Sequence, residues 1–157
     1  MQTITDELNR YLGLGYDQAR TMPSEFYTSV ELLALEKERL FRSQWICLGR
    51  SHQVSQPGDY FTAELIGEPL IVVRNSSNEF KVLSNVCRHR GSVLIEGSGN
   101  TTTFVCPYHA WSYNIDGKLR RAPLIESRAD FDQTECRLPT FACETWGGFI
   151  YVNLDNT

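Results

Sequence analysis

Four residues between positions 87 and 109 have the types and the spacing of metal ligands. Cys87 and His89 stand in Cys87-Arg88-His89-Arg90-Gly91, and Cys106 and His109 in Cys106-Pro107-Tyr108-His109-Ala110-Trp111. Sixteen residues separate His89 from Cys106. Each segment offers one thiolate and one imidazole. A Cys-x-His pair cannot come from successive turns of a helix, so the first segment is expected to be irregular backbone folded round its ligand. Pro107 inside the Cys-x-x-His pair makes the second segment a loop as well.

Two chemistries compete for such a set. Tetrahedral zinc accepts two Cys and two His, but its structural sites usually bring the thiolates in together as a Cys-x-x-Cys knuckle, followed by the two His. Here each loop mixes one of each. That mixture suits a binuclear centre with two thiolates on one iron and two imidazoles on the other, the Rieske ligation of a [2Fe–2S] cluster. The spacing favours this reading over zinc. Two ferric ions, two sulfides and two thiolates sum to no net charge with neutral His, and to one negative charge after one electron. A four-thiolate cluster carries two more negative charges in each state, so the two-His centre accepts its electron more readily. Arg88 and Arg90 flank His89 and would favour the reduced state further, with surface salt bridges as their plainer role.

The elements that must position these loops read as short strands. Trp45–Gly49 is strand-like, and Gln56-Pro57-Gly58-Asp59 marks a turn. Asp59–Ile66 reads as a strand, Gly67-Glu68-Pro69 as a turn, and Leu70–Arg74 as a buried strand. After the loop tip Asn75–Asn78, Phe80–Leu83 alternates as a strand does. Gly97-Ser98-Gly99-Asn100 is expected to turn, and Thr101–Val105 to run as a strand into the second loop. Ser112–Leu119 looks like a hairpin turning on Asp116-Gly117. Leu124–Pro139 is more polar and is expected to wrap the surface, and Phe149–Leu154 to close the fold as a strand. Strands at this spacing without helices between them mean an all-β, mainly antiparallel sandwich or barrel, with sequential pairing the economical topology.

Ahead of the strands, residues 1–27 read as an arm with one short helix at Asp6–Leu12, and residues 28–157 as a helix plus the metal-binding domain. Thr28-Ser29-Val30-Glu31 resembles a capping box, with Thr28 accepting from backbone N–H groups and Glu31 reaching back. The helix is expected over Ser29–Arg42, with Leu32, Leu33, Leu35, Leu40 and Phe41 as its apolar stripe.

The chain has 157 residues, 41% of them apolar and 22% charged, enough for one well-buried core. Its net charge of −4 argues against a nucleic-acid surface, and no basic run suggests a membrane patch. The N-terminus lacks the basic and apolar regions of a signal peptide, and no stretch reaches the roughly 18 apolar residues of a membrane span. A cytoplasmic protein is the default expectation. With Cys87 and Cys106 as ligands, Cys47, Cys136 and Cys143 remain and are expected to be buried, reduced thiols. Cys136 and Cys143 are the pair to check for a bridge, which a reducing compartment disfavours.

The two loops resemble those of the Rieske domain of ring-hydroxylating oxygenase α subunits, the family of aromatic dioxygenases and of related monooxygenases and demethylases. Trp45, Pro57-Gly58-Asp59-Tyr60, the strand ending in Arg74, and Asn85 also stand where that family has similar residues. The likeness covers roughly residues 23 to 154. Ala110 is a mild departure, since many members have Gly there. The resemblance implies a Rieske iron–sulfur fold with small stacked sheets, and Cys87, His89, Cys106 and His109 as the cluster ligands. It also implies a mononuclear Fe(II) in a separate catalytic domain. With three His in all, and only His52 outside the two loops, the second iron site cannot be built here. His52 is expected to be a surface residue.

By the same resemblance the chain carries single electrons and is not an oxygenase by itself. The donor would be a ferredoxin or a flavin-dependent reductase, and the acceptor the catalytic domain of the same or a neighbouring subunit, with His109 or His89 as the exit. A full-length homotrimer, with no nucleic acid and no membrane, is implied. The sequence stops at Thr157 about where the family's catalytic domain would begin, which suggests an excised N-terminal domain or a free-standing relative. The alternative is a small Rieske ferredoxin, which the helix and the arm disfavour. High-potential members join their loops by a disulfide and place a Ser against a bridging sulfide. The equivalent positions here are Gly91 or Ser92, Tyr108, and Trp111. A low potential follows, with Trp111 as a packing residue over the cluster and Tyr113 as a donor to a ligand sulfur or an ordinary strand Tyr. The substrate is not legible.

Overall fold

In the computed structural model, residues 4–125 and 130–155 are described. The chain divides into two compact units, Met1–Leu40 and Phe41–Thr157.

The first unit holds helices α1 (Ile4–Leu12), α2 (Glu25–Thr28) and α3 (Val30–Glu36). Tyr11 meets the buried Phe26 edge to face at 6.0 Å, and Leu32 is the buried residue of α3. The helix start differs from the expected one. Thr28 still belongs to α2, where its hydroxyl donates to the Ser24 carbonyl. Ser29 is the cap instead: its backbone is extended and its Oγ accepts the Leu32 N–H at 3.1 Å. The expected apolar stripe is narrower than its spacing suggests, because Leu33 and Leu40 are exposed. The α-helix also stops early, widening into a π turn at Lys37–Phe41.

Among the described residues the second unit has ten strands. They are β1 (Ile46–Arg50), β2 (Asp59–Leu65), β3 (Glu68–Arg74), β4 (Phe80–Ser84), β5 (Ser98–Asn100), β6 (Thr103–Val105), β7 (Ser112–Asn114), β8 (Leu119–Arg121), β9 (Thr140–Trp146) and β10 (Phe149–Asn153). Seven form one sheet in the order β1-β10-β9-β4-β3-β2-β5, and β6-β7-β8 form a second, with every pairing antiparallel. The mainly antiparallel β fold expected from the sequence is the one present.

Strict sequential pairing is not. The first strand pairs with the last, β4 with β9, and β2 with β5. The order stays open, with β1 and the short β5 as its two edges, and places the long buried strands β3 and β4 in its interior. In β3, Leu70 and Val72 enter one buried cluster while Ile71 and Val73 enter the other. A strand buried on both faces reads as a continuous apolar run, as Leu70–Val73 does. One cluster, with Val54, Phe61, Val82, Ile150 and Val152, fills the curl of the large sheet. The other, with Tyr60, Leu83, Phe104, Trp111, Tyr113 and Leu138, includes Cys87 and Cys106.

Several local expectations are corrected. The β2–β3 turn is Ile66-Gly67, both left-handed (φ 49° and 89°), and Glu68 and Pro69 already pair with Leu65 and Glu64. Residues 98–100 are a strand, where Gly99 makes room for Tyr60 rather than turning the chain: a Cβ there would stand 3.2 Å from the Tyr60 hydroxyl and 3.3 Å from its ring. Leu124–Pro139 does not simply wrap the surface. Leu138 is fully buried and donates its N–H to the Gly117 carbonyl at 2.8 Å, though residues 126–129 of that stretch lie outside the described residues. The strand β9 was not anticipated. All five cysteines are free, but Cys47 is exposed and Cys136 and Cys143 are only half-buried.

Candidate metal centre

The two loops share one backbone design. The Cys87 N–H donates to the Ser92 carbonyl at 2.8 Å and the Gly91 N–H to the Cys87 carbonyl at 3.0 Å. Nineteen residues on, the Cys106 N–H donates to the Trp111 carbonyl at 2.7 Å and the Ala110 N–H to the Cys106 carbonyl at 3.0 Å. Each loop is therefore a closed six-residue ring whose fifth residue is left-handed, Gly91 at φ 71° and Ala110 at φ 57°. That conformation explains why glycine suits position 110.

Each ring is anchored at its base. Val86 bridges Val93 across the first loop. The side chain of the buried Asn85 accepts the N–H groups of Leu94 (3.2 Å) and Ile95 (3.1 Å) and donates to the Ile95 carbonyl (2.7 Å). Asn85 thus fastens both ends of the first loop to the end of β4. The second loop joins β6 to β7, whose pairing at Val105↔Ser112 brings its ends together.

With the rings closed, the four side chains meet as two pairs. The Cys87 and Cys106 thiols touch each other and are buried. The His89 and His109 rings lie edge to face with centroids 4.8 Å apart, and both residues are half-buried. Among the described residues no three His, Cys, Asp or Glu side chains gather at one point. Nδ1 of His109 is buried and has no hydrogen-bond partner among the described residues. A buried polar nitrogen left bare is costly unless it binds something, and an imidazole nitrogen in that position is a ready metal ligand. Thiol beside thiol and imidazole beside imidazole fit a two-iron cluster.

The surroundings shift the two thiols in opposite directions. Burial raises both thiols. At Cys106 the N–H groups of Tyr108 and His109, the Cys87 thiol and the Ser92 hydroxyl outweigh burial, so its pKa falls below the ordinary value. At Cys87 burial prevails despite the Tyr113 hydroxyl and the His89 N–H, so Cys106 gives up its proton first. Burial, then the neighbouring His109 and Arg90, lower the pKa of His89 and keep it neutral, the form in which imidazole binds a metal.

Residues around the pairs fall into two groups. Trp111, buried, stacks on His89 at 4.7 Å with planes 6° apart, and Phe131 meets its edge. Tyr113 lies with its hydroxyl 3.4 Å from Cys87 Sγ. Both had been singled out by position. Tyr108, packed over the His109 ring at 3.8 Å, and Ser92 enter the sequence reading only as the positions where high-potential members join their loops, and Phe131 does not enter it. Ser92 and Tyr108 lie inside the loops themselves, but Phe131 arrives from a polar stretch that carries no periodic signal. His52 is exposed in a 3-10 turn at Ser51–Val54 and is not part of this group.

The remaining similar residues serve the scaffold. Gly58 donates its N–H to the Arg74 carbonyl and accepts from Thr101, and Asp59 accepts from Asn100 at 2.8 Å, which ties β2 to β5. Tyr60 packs edge-on to Phe104 beneath the second loop. Arg74 lies over the Phe80 ring and holds Asn78. Trp45 is exposed beside Trp146 and Tyr151.

Comparison with known proteins agrees with this geometry. The family model for the Rieske [2Fe-2S] domain matches residues 44–142. The carnitine monooxygenase oxygenase subunit of Acinetobacter baumannii is 37% identical over 140 residues, 88% of this chain and 38% of that protein. The chloroplastic choline monooxygenase of Spinacia oleracea is 36% identical over 141 residues, 90% of this chain and 32% of that protein. A solved quaternary ammonium Rieske monooxygenase, described with carnitine oxidation and inter-subunit electron transfer, superposes with a TM-score of 0.84 at 36% identity, over 88% of this chain and 38% of its own. The chain thus spans under two fifths of the length of these relatives. With two closed loops that pair the cysteines and the histidines on an antiparallel β fold and the family match spanning both, the chain belongs to the Rieske [2Fe–2S] domain family.

Proposed function

We propose that Cys87 and Cys106 hold one iron of a [2Fe–2S] cluster, that His89 and His109 hold the other, and that the chain passes single electrons to an oxygenase site. The observation that carries this reading is the meeting of the four side chains as a thiol pair and an imidazole pair, with His109 Nδ1 buried and bare. When bound, the cluster supplies one-electron redox chemistry. The protein's own contribution is to orient and shield it. The paired rings fix the ligand backbone, Trp111 seats His89, and the N–H groups at Tyr108 and His109 stabilise the Cys106 thiolate.

The donor in this reading is a ferredoxin or a flavin-dependent reductase. The acceptor is a mononuclear iron domain of the same or a neighbouring subunit in a homotrimer, and the setting is the cytoplasm. The relatives' names support quaternary ammonium compounds such as carnitine and choline as the substrate class of an oxygenase containing this domain. A free-standing ferredoxin-like carrier fits less well, since the relatives are oxygenase subunits.

The test is spectroscopic. Protein loaded with iron and sulfide is expected to be red-brown and, once reduced, to give a rhombic paramagnetic signal, and His89→Ala is expected to abolish it. Survival of the signal in that variant would overturn the ligand assignment, and a colourless zinc protein would overturn the cluster. The midpoint potential is expected near the lower Rieske limit of about −150 mV, because the five cysteines are free and none joins the loops. A midpoint above zero refutes that expectation.

A further inference from the structure

The β1 end of the large sheet carries an aromatic face that the metal centre does not use. There β1, β10 and β9 lie side by side. Ile46, Ile150, Val152 and Cys143 on these strands belong to the core of that sheet. The register puts a different set on the opposite face. Tyr151 stands between Cys47 on one side and Glu144 on the other, and Trp45 and Trp146 lie two residues from these along their own segments. Trp45, Glu144, Trp146 and Tyr151 together line an open concavity of about 480 Å³.

These groups are not committed elsewhere. Among the described residues none of the three rings is paired with another ring or with a cation of the chain, and no cation pairs with Glu144. Trp146 is 78% exposed and Trp45 43%. Large apolar side chains left open on one patch mark a binding surface.

The composition of the patch selects a cation. Aromatic faces carry the negative lobe of the ring quadrupole and attract positive charge, Trp most strongly. Glu144 adds a full negative charge among them. In a protein interface that charge would be out of place, since charged residues are depleted from interface cores. For an ammonium ion it is an attraction. The methyl groups of a quaternary ammonium need no hydrogen bonds and can rest on rings, whereas a primary ammonium would give up water to do so. The same end of the sheet already holds one cation in this way: Arg50, opposite Phe149 in the register, lies over its ring at 4.9 Å.

We propose that Trp45, Trp146 and Tyr151 form an aromatic cage, with Glu144 at its side, that binds the trimethylammonium group of a small quaternary ammonium compound. None of the four residues lies in the two ligand loops, and the cage does not depend on the cluster assignment. Binding is non-covalent, and an open cage of this kind holds its ligand with a dissociation constant on the order of 1 mM.

The experiment titrates the whole chain with tetramethylammonium, choline or 3,3-dimethylbutanol at fixed ionic strength, followed by tryptophan fluorescence and by calorimetry. The last compound has the shape of choline without its charge. Both cations are expected to bind, and the neutral analogue about tenfold more weakly. Trp146→Leu is expected to weaken cation binding about tenfold and Glu144→Gln about fivefold, while Trp146→Phe keeps part of the affinity. Both side chains are exposed, so the variants are expected to keep the unfolding curve of the unaltered protein. Tyr16→Ala, which removes a fully exposed ring from the first unit, is expected to leave binding unchanged.

Absence of saturable cation binding overturns the proposal. So does equal binding of the neutral analogue, which would make the face an ordinary apolar patch. Binding that survives both Trp146→Leu and Glu144→Gln unchanged places the cation elsewhere and refutes the cage. Self-association of the chain that Trp146→Leu removes also refutes it, because the face is then a contact between copies. A chain that binds choline in this way but takes up no iron and sulfide upholds the cage and refutes the cluster assignment alone.

Discussion

Gly91 and Ala110 occupy the same place in two loops of the same backbone wiring. Each is the fourth residue after a cysteine, donates its N–H to that cysteine's carbonyl at 3.0 Å, and is left-handed. A side chain in that conformation costs roughly 1–2 kcal/mol, of which the lower chain entropy of alanine returns about 0.5–1 kcal/mol. Nothing lies within 4 Å of where a Cβ on Gly91 would stand, so only the backbone term separates the two positions. Ala110→Gly is expected to stabilise the protein by about 0.5–1 kcal/mol and Gly91→Ala to destabilise it by a similar amount. Urea titration of both variants checks this, and equal signs would refute it.

Tyr113 accepts the Arg88 N–H at 3.1 Å, which leaves its own proton for Cys87 Sγ, 3.4 Å away. Burial, followed by the Cys87 partner, pushes the phenol well above its usual range, so it stays a donor at any ordinary pH. A hydrogen bond to a ligand sulfur stabilises the reduced, more negative centre more than the oxidised one. Tyr113→Phe is expected to lower the midpoint potential on the order of 40 mV, taking about 1 kcal/mol of the bond as redox-dependent. Potentiometric titration decides, and an unchanged or higher potential excludes the donor role.

Much of this site is legible in residue types because the ligand spacing is local. Cys87, His89, Cys106 and His109 lie in two six-residue rings, so their chemistry needs little long-range information. The hairpin at Asp116-Gly117 and the apolar run Leu70–Val73 are legible for the same reason. Less legible is what depends on distant partners. Strand β9 alternates Phe141 and Cys143 with Ala142 and Trp146, so both faces carry apolar groups and the period is blurred. The available cue was Gly147-Gly148, left-handed at φ 58° and 81°, a two-residue hairpin turn before β10. Gly99 and Ile66 misled in opposite ways: a strand glycine looks like a turn, and a β-branched turn residue, kept because it packs against the core, looks like a strand.

Gly58 has a harder constraint than Gly91. Its φ is 91°, and a Cβ there would stand 2.8 Å from the Thr101 carbonyl oxygen and 3.0 Å from the Asn100 side chain. A methyl group would both strain the turn and push apart the β2–β5 tie. Gly58→Ala is expected to cost about 2–4 kcal/mol, several times the effect of Gly91→Ala. Denaturant unfolding of the two variants side by side gives the comparison. Equal losses would show that the contact with Thr101 yields easily.

Cys143 supplies a pH test separate from the metal centre. It sits half-buried on β9 against the core of the large sheet, and burial, with the adjacent Glu144 carboxylate second, pushes its thiol from 9.0 up to about 11. A raised pKa means the folded state holds this proton more tightly than the unfolded chain does. The resulting stability is complete below pH 9.0 and is lost as pH rises through about 11. Because the thiol is partly open to solvent, the loss is about 1–2 kcal/mol rather than the full two-unit value. Cys143→Ala removes the titrating group, so the stability difference between the unaltered protein and the variant is expected to shrink by that amount between pH 9 and 11. All other alkaline titrations are common to both proteins and cancel. Parallel stability curves over that window would show that the thiol ionises as freely folded as unfolded.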